Sequence, residues 1–470
     1  MFTPDTPILT ADKDALGRKN FAQKLGETIR DWKREESIVI ALCGPWGSGK
    51  TSVLNMAVKY IEDTTKDLPK ETQPVIVRFN PWNFSEQEQL LRAFFRELLA
   101  AIKKVAPKQA VDLQRLLTGT AKILGALQEI PEIGGWFGLG RKAVSLFTQN
   151  DIPLEDFRKQ ISDLFRSLNR RIVVVLDDID RLTQEEIRQT FRLIKINADF
   201  PYTIYLVAFD RKVVEKALTS EQGVSGRDYL EKIIQVSFNI PTADPAFIAE
   251  MLIGELDKNL TALPLNHWDP TRWGNMYHSG FSSFFRSIRD VKRFANSLAF
   301  NLKVIPDEIN SIDFIGLEAL RIFTPEVYEG IASNKALFTW TSGQWGSQPN
   351  QAELKKQYEL IFSRAGEHLS SIVANICQQL FPQMKWAYEN MTYSPGWQAT
   401  WRKERRICAE DVFDVYFLLG TPKGDVSQAE LQQIVAAANE PIKLLTIFGE
   451  IQQSGRIARL LEQIPNQLMA

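Results

Sequence analysis

The chain has 470 residues, more than one hydrophobic core organises, so two or three domains are expected. It is 44% hydrophobic and 24% charged, the balance of an ordinary soluble globular protein. Its formal net charge of −1, from 56 Lys+Arg against 57 Asp+Glu, excludes a global electrostatic pull toward nucleic acid or an anionic membrane and leaves only local patches. Cys43, Cys377 and Cys408 show no metal or disulfide spacing, which suits a reducing cytosol. Only three histidines occur, His267, His278 and His368, which argues against a His-rich metal site. The N-terminal stretch carries acids and no apolar segment, so no secretory leader is read there. No apolar run reaches the roughly 18 residues of a membrane-spanning helix. The nearest, residues 123–147, contains Glu129, Pro131, Glu132, Arg141 and Lys142 and reads as two short amphipathic segments joined by a Gly-rich turn. A cytoplasmic protein with no membrane span is expected.

Residues 12–33 predict a helix, with Leu16, Phe21, Leu25, Ile29 and Trp32 at helical spacing and Asp12 or Asp14 as its cap. It either packs near a ligand held by the loop that follows or simply covers a sheet. An apolar strand over residues 38–42 then runs through Cys43 into Gly44-Pro45-Trp46-Gly47-Ser48-Gly49-Lys50-Thr51, and a helix continues from Ser52. This is G-x-x-x-x-G-K-[ST] between a strand and a helix. A phosphate chain needs inward-facing backbone N–H groups, hence the glycines. It needs a positive charge, which Lys50 supplies, and a hydroxyl for Mg²⁺, which Thr51 supplies. The helix start, including Ser52, points its positive dipole end at the anion.

Residues 74–79 predict a second strand running into Asn80-Pro81-Trp82-Asn83-Phe84-Ser85. Asn-Pro marks a turn, and Ser85 with Glu88 offers a capping box for a helix over 86–105. The turn falls on the edge where open α/β sheets bind ligands. It is either a loop touching the attacking water or the terminal phosphate, or a structural corner. Residues 107–150 read as an insertion, a helical hairpin suited to contact a partner or another subunit. After a helix over 154–169, the apolar strand 172–176 ends in Asp177-Asp178-Ile179-Asp180-Arg181. Three acids so close call for a cation. Asp177 is the candidate Mg²⁺ holder and Asp178 the candidate that orients and activates the attacking water. The division of roles among Asp177, Asp178 and Asp180 stays open. Thr183 and Glu186 form a capping box for a helix over 183–200. The next strand, 201–209, ends at Asp210-Arg211, where Asp210 is a polar sensor, a helix N-cap, or both. A last strand falls within 233–238. Strand and helix alternate up to here, which predicts a parallel sheet with right-handed crossovers.

Beyond residue 242 the chain reads as helices, over 247–260, 281–302, 309–323 and 354–381. Arg289 and Arg293 share one helical face, and they either reach back to the nucleotide phosphates or form a solvated face. A basic cluster over 402–406 lies near Trp397 and Trp401. Glu404 and Glu410 interrupt it, which favours an interaction or regulatory domain over nucleic-acid binding. Ser427 with Glu430 marks one more capping box.

The motifs together resemble the KAP family of P-loop NTPases. The carrying residues are the loop from Gly44 to Thr51, Phe79-Asn80-Pro81-Trp82, Leu176-Asp177-Asp178-Ile179-Asp180-Arg181, Ala208-Phe209-Asp210-Arg211 and Arg289-Asp290-Val291-Lys292-Arg293-Phe294-Ala295-Asn296. The resemblance covers about residues 16–300. It implies an additional-strand P-loop ATPase fold related to the STAND and AAA+ groups: α/β, a parallel sheet flanked by helices, followed by an α-helical C-terminal region. The expected domains are a P-loop NTPase core over 8–241, with the insertion at 107–150, a helical lid over 242–325 and a helical C-terminal domain over 326–470. The expected activity is Mg²⁺-dependent ATP hydrolysis that rearranges or assembles the C-terminal region. Arg181 or Arg211 is the candidate arginine finger. No GTPase base motif is apparent, which favours ATP. Homo-oligomerisation, or a protein partner on the helical region, is expected. Many relatives insert membrane helices between the two motifs, and this chain has only residues 107–150 there. A role in defence against phage or plasmids follows from family company. The alternatives are a nucleotide-gated switch with little hydrolysis, or a DNA-associated ATPase.

Overall fold

A computed structural model of the chain describes residues 3–83, 87–119, 154–197, 200–219, 225–260, 268–304, 308–340, 350–394, 396–422 and 424–461. The described chain forms two compact units, Thr6–Ala243 and Asp244–Ala470 with Met1–Asp5. Most of the expected insertion, residues 120–150, lies outside the described residues, as do the Ser85 cap and His267.

In the first unit five strands, β1 (Ile38–Cys43), β2 (Val75–Phe79), β3 (Ile172–Leu176), β4 (Thr203–Phe209) and β5 (Val236–Asn239), form one sheet in the order β2-β3-β4-β1-β5. Every pairing is parallel, so all five strands end at one edge; Cys43 pairs with Phe209, and Leu176 with Val207. β4 is inserted between β1 and β3, the strands that carry the two acid- and glycine-marked loops. The fold is therefore the expected α/β class, a parallel sheet flanked by helices. β1, β3 and β4 are buried throughout because helices cover both faces. Val39, Ala41, Val174, Tyr205 and Val207 face one core, shared with the helices Gln87–Val105, Leu154–Leu168 and Gln184–Asn197. Ile38, Ile40, Leu42, Val173, Val175, Ile204 and Leu206 face the other. That second core holds Leu25 and Ile29 of α1 (Lys19–Asp31) and Val53, Leu54 and Ile61 of α2 (Lys50–Thr65).

Some element boundaries differ from the sequence expectation for local reasons. α1 begins at Lys19 and not near Asp12. The Asp14 carboxylate accepts from the amides of Leu16 (3.1 Å) and Lys19 (2.7 Å), folding the preceding residues into a turn that competes with helix. β5 begins at Val236, because the amides of Ile233 and Ile234 bond back to the Leu230 carbonyl. The capping boxes at Thr183/Glu186 and Ser427/Glu430 are both formed.

The second unit is helical in its described residues. Residues 354–381, expected as one helical region, divide into Gln351–Phe362 and Glu367–Leu380 at Gly366, whose φ of 80° only glycine adopts readily. The helix Ser311–Phe323 is buried from Ser311 through Leu320 and includes Asp313 at 0% exposure. Asp313 accepts from Arg272, from Arg406 Nε (3.0 Å) and from the Ile407 amide (3.0 Å). The basic cluster 402–406 is thus engaged within the fold: Arg402 pairs with Asp411, Arg405 with Glu308, and Arg406 with Asp313. Among the described residues no helix is long and apolar enough to cross a membrane.

Removing a carboxylate that neutralises two largely buried guanidinium groups leaves uncompensated charge. Asp313→Ala is expected to cost about 3–5 kcal/mol. The check is the urea midpoint of the C-terminal unit followed by tryptophan emission. Lys443→Ala, which breaks an exposed pair with Glu440, is expected to leave that midpoint unchanged.

Candidate functional site

The loop between β1 and α2 is shaped by two left-handed glycines, Gly47 (φ 80°) and Gly49 (φ 85°). The Gly44 amide continues the ladder to Phe209, and the Ser48 amide turns back to the Pro45 carbonyl (3.1 Å). Lys50, 7% exposed, folds back inside the turn. Its Nζ donates to the carbonyls of Gly44 (3.0 Å) and Pro45 (3.4 Å) and to Asp180 Oδ2 (3.0 Å).

Asp180 lies in the short 3₁₀ turn Ile179–Arg181 after β3. The same Oδ2 also accepts the Asp210 amide at the end of β4 (3.1 Å). One carboxylate oxygen therefore joins the ends of three neighbouring strands. Asp210 itself caps the helix Arg211–Leu218 through the Lys212 amide (2.9 Å), so the N-cap arrangement is present.

Asp177, first after β3, lies beside the Thr51 side chain and accepts the Asp178 amide (2.9 Å). Burial pushes its carboxyl upward and the Asp178 charge adds to this, while the neighbouring Thr51 hydroxyl and the Asp178 amide oppose it. Asp178 is left-handed (φ 59°) and its carboxylate is ion-paired with Arg181 Nε (2.7 Å). Arg181 also lies over the ring of Trp46, 5.9 Å from the centroid. Trp46 is 67% exposed at the loop tip. Beside this turn lies the turn Pro81–Asn83, where the Trp82 amide bonds to Asn80 Oδ1 (3.0 Å) and the Trp82 ring is exposed.

Other candidates stand apart from this cluster. Ser52 Oγ accepts the Ile8 amide (3.2 Å), and Asn55 reaches the Ile8 carbonyl. Arg211 pairs with Glu215 on its own helix. Arg289 and Arg293 lie on the helix Ile288–Asn301 of the second unit; Arg289 pairs with Asp5, and Arg293 is exposed. Arg18 is a residue that the motifs do not mark. It is buried and donates to the carbonyls of Ser48 and Pro241. A lone arginine in a polar stretch carries no spacing signal for such a role.

The donor set fits a phosphorylated ligand with a divalent cation. Two buried polar atoms of the cluster, Ser48 Oγ and Asp180 Oδ1, have no partner among the described residues. A glycine-shaped loop with a lysine inside it suits phosphate. Among the described residues no group of three or more His, Cys, Asp or Glu side chains is arranged to hold a metal. A cation held by Thr51 and Asp177 would complete its shell with phosphate and water, the usual manner of Mg²⁺.

A model of the KAP family P-loop domain matches residues 18–304. The phage T7 exclusion protein of Escherichia coli (strain K12) is 23% identical over 354 residues, covering 69% of this chain and 47% of that protein. The chain thus spans about half the length of this curated relative. Solved structures that align include the Aeropyrum pernix ORC1 protein in complex with DNA, with TM-score 0.35, 13% identity, and coverage of 78% of this chain and 84% of that one. The Walker-type ATPase paby2304 of Pyrococcus abyssi aligns with TM-score 0.33 and 13% identity, covering 80% and 99%.

A partly buried carboxyl whose folded pKa is raised favours the fold below the ordinary carboxyl range and loses that contribution as pH rises through the shifted value. In metal-free buffer at neutral pH, Asp177→Asn is therefore expected to raise the melting temperature. The gain should shrink as pH falls toward about 4. A melting temperature lowered at neutral pH would contradict the charge balance described for Asp177.

Proposed function

The chain belongs to the KAP family of P-loop domains, and from that membership we propose that it binds and hydrolyses ATP with Mg²⁺ at the C-terminal edge of its sheet. The observation that carries this reading is the loop closed around Lys50, whose Nζ reaches Gly44 and Asp180, with Thr51 and Asp177 side by side next to it. The backbone N–H groups of Gly47, Ser48, Gly49 and Lys50, with those of Thr51 and Ser52 at the start of α2, would receive the phosphates. Gly44, Pro45 and Trp46 form the entry of the loop. Lys50 places its charge against the terminal phosphates. Thr51 and Asp177 would hold Mg²⁺, which supplies neutralisation and orientation of the phosphate oxygens. Asp178 orients the attacking water and accepts its proton once its carboxylate is released from Arg181. Arg181, freed by the same release, stabilises charge on the transferred group. Asp210 reports this edge to the helix it caps. Coupling of this cycle to rearrangement or assembly of the helical C-terminal region is part of the same reading.

A specific observation favours a second reading, a nucleotide-gated switch with little hydrolysis. The candidate base Asp178 is held by Arg181 at 2.7 Å, and Arg181 is stacked on Trp46. Phosphate release separates the two. For the hydrolase, Lys50→Ala abolishes turnover, and Asp178→Asn lowers it by about 10²-fold or more while ATP stays bound. For the switch, wild-type turnover is slow and Asp178→Asn changes it little. Full hydrolysis by Lys50→Ala would remove both readings.

The likeness to a phage T7 exclusion protein supports a role in bacterial defence against phage. Expression of the chain in a susceptible host is expected to reduce phage plaque counts, and Lys50→Ala to restore them. Equal counts with wild type and Lys50→Ala would remove an ATP-dependent role in exclusion.

A further inference from the structure

Arg18 is 5% exposed and lies at the N-cap of α1, outside every motif. Its guanidinium joins two main-chain carbonyls: Nη1 donates to Ser48 in the phosphate loop, and Nη2 to Pro241 (2.7 Å), where the chain leaves β5. Nε is buried with no partner among the described residues. The acid whose charge acts on it, Asp14, is engaged with the amides of Leu16 and Lys19. A desolvated cation with no ion pair to a described carboxylate is costly unless an anion lies near. Arg18 sits against a loop whose glycines and lysine suit an anion.

The peptide group supplies the link. It is planar and trans, so the carbonyl of Ser48 and the amide of Gly49 point in opposite directions. Fixing the carbonyl on Arg18 fixes the Gly49 amide facing away from it. Gly49 also leaves room for this contact: a Cβ there would lie 2.8 Å from Arg18 Nη1, on a backbone at φ 85°. Pro241 in turn precedes Asp244, where the second compact unit begins.

Resting on the nucleotide reading above, we propose that Arg18 is a positioning residue of the phosphate loop. It holds the Ser48–Gly49 peptide with its amide toward the phosphates and supplies a second positive charge from outside the motif. Through Pro241 it passes the state of the loop to the segment leading into the helical unit. Lysine cannot replace it fully, because one ammonium lacks the planar fork that spans two carbonyls.

The test is Mg²⁺-ATP affinity, by anisotropy of a fluorescent ATP, together with amide hydrogen exchange at Thr242 and Ala243, for wild type, Arg18→Ala and Arg18→Lys. Arg18→Ala is expected to weaken binding on the order of 10- to 100-fold, the worth of a charged hydrogen bond. Arg18→Lys, which keeps the charge, should recover part of this affinity. Wild type should show ATP-induced protection at Thr242 and Ala243, and neither variant should show it. A purely structural role would lower the melting temperature and leave that protection in the folded fraction. If Arg18→Ala misfolds, Arg18→Lys decides alone through the exchange readout. Wild-type affinity in Arg18→Ala, or protection retained in Arg18→Lys, overturns the proposal while the nucleotide reading stands. No ATP binding by wild type overturns both.

Discussion

The buried ion pair between Lys50 and Asp180 is the constraint on which the site depends. Lys50 opens α2 and Asp180 lies in the turn after β3, and the two strands behind them are not neighbours; β4 lies between β1 and β3. Asp180 closes that gap by also binding the Asp210 amide at the end of β4. A pair with 7% and 5% side-chain exposure is little screened by solvent. Removing either member would strand the other, which is why such pairs specify geometry more than they add stability. A phosphate group placed at this loop would meet a lysine already aligned and already linked to both neighbouring strand ends.

Around that pair the acids divide their surroundings. Asp177 faces the Thr51 hydroxyl and is disfavoured as an anion by burial. Asp178 is turned away on a left-handed residue and paired with Arg181. Asp180 is inside, neutralised by Lys50. The three carboxylates take three different partners, and the charge repulsion that remains, of Asp178 on Asp177, adds to the upward push on Asp177. In the helical unit the same rule acts on a larger scale: Asp313 neutralises Arg272 and Arg406 and anchors a helix buried along most of its length.

Much of the candidate site was legible because a loop suited to phosphate needs particular residues at fixed spacing. The loop from Gly44 to Thr51 and the acids after β3 carry that demand in one dimension, and the apolar runs of β1, β3 and β4 announce a sheet covered on both faces. What was not legible depends on contacts distant in sequence. Arg18 reaches Ser48 and Pro241 through tertiary packing alone. Arg402, Arg405 and Arg406 read as a basic cluster because their partners Asp411, Glu308 and Asp313 are not their immediate neighbours along the chain. α1 starts later than its periodicity suggests because the Asp14 side-chain turn competes with helix before Lys19. The role of Asp180 stayed open among three acids, since spacing does not say which one turns inward.

Titration calorimetry of Mg²⁺-ATP against wild type and Asp180→Asn tests the central claim most directly. The account predicts one binding event per chain for wild type. In Asp180→Asn, where Lys50 and the Asp210 amide lose their shared carboxylate, it predicts a marked loss of affinity. Equal affinity in the two proteins would contradict the account, since Lys50 would then be aligned without Asp180.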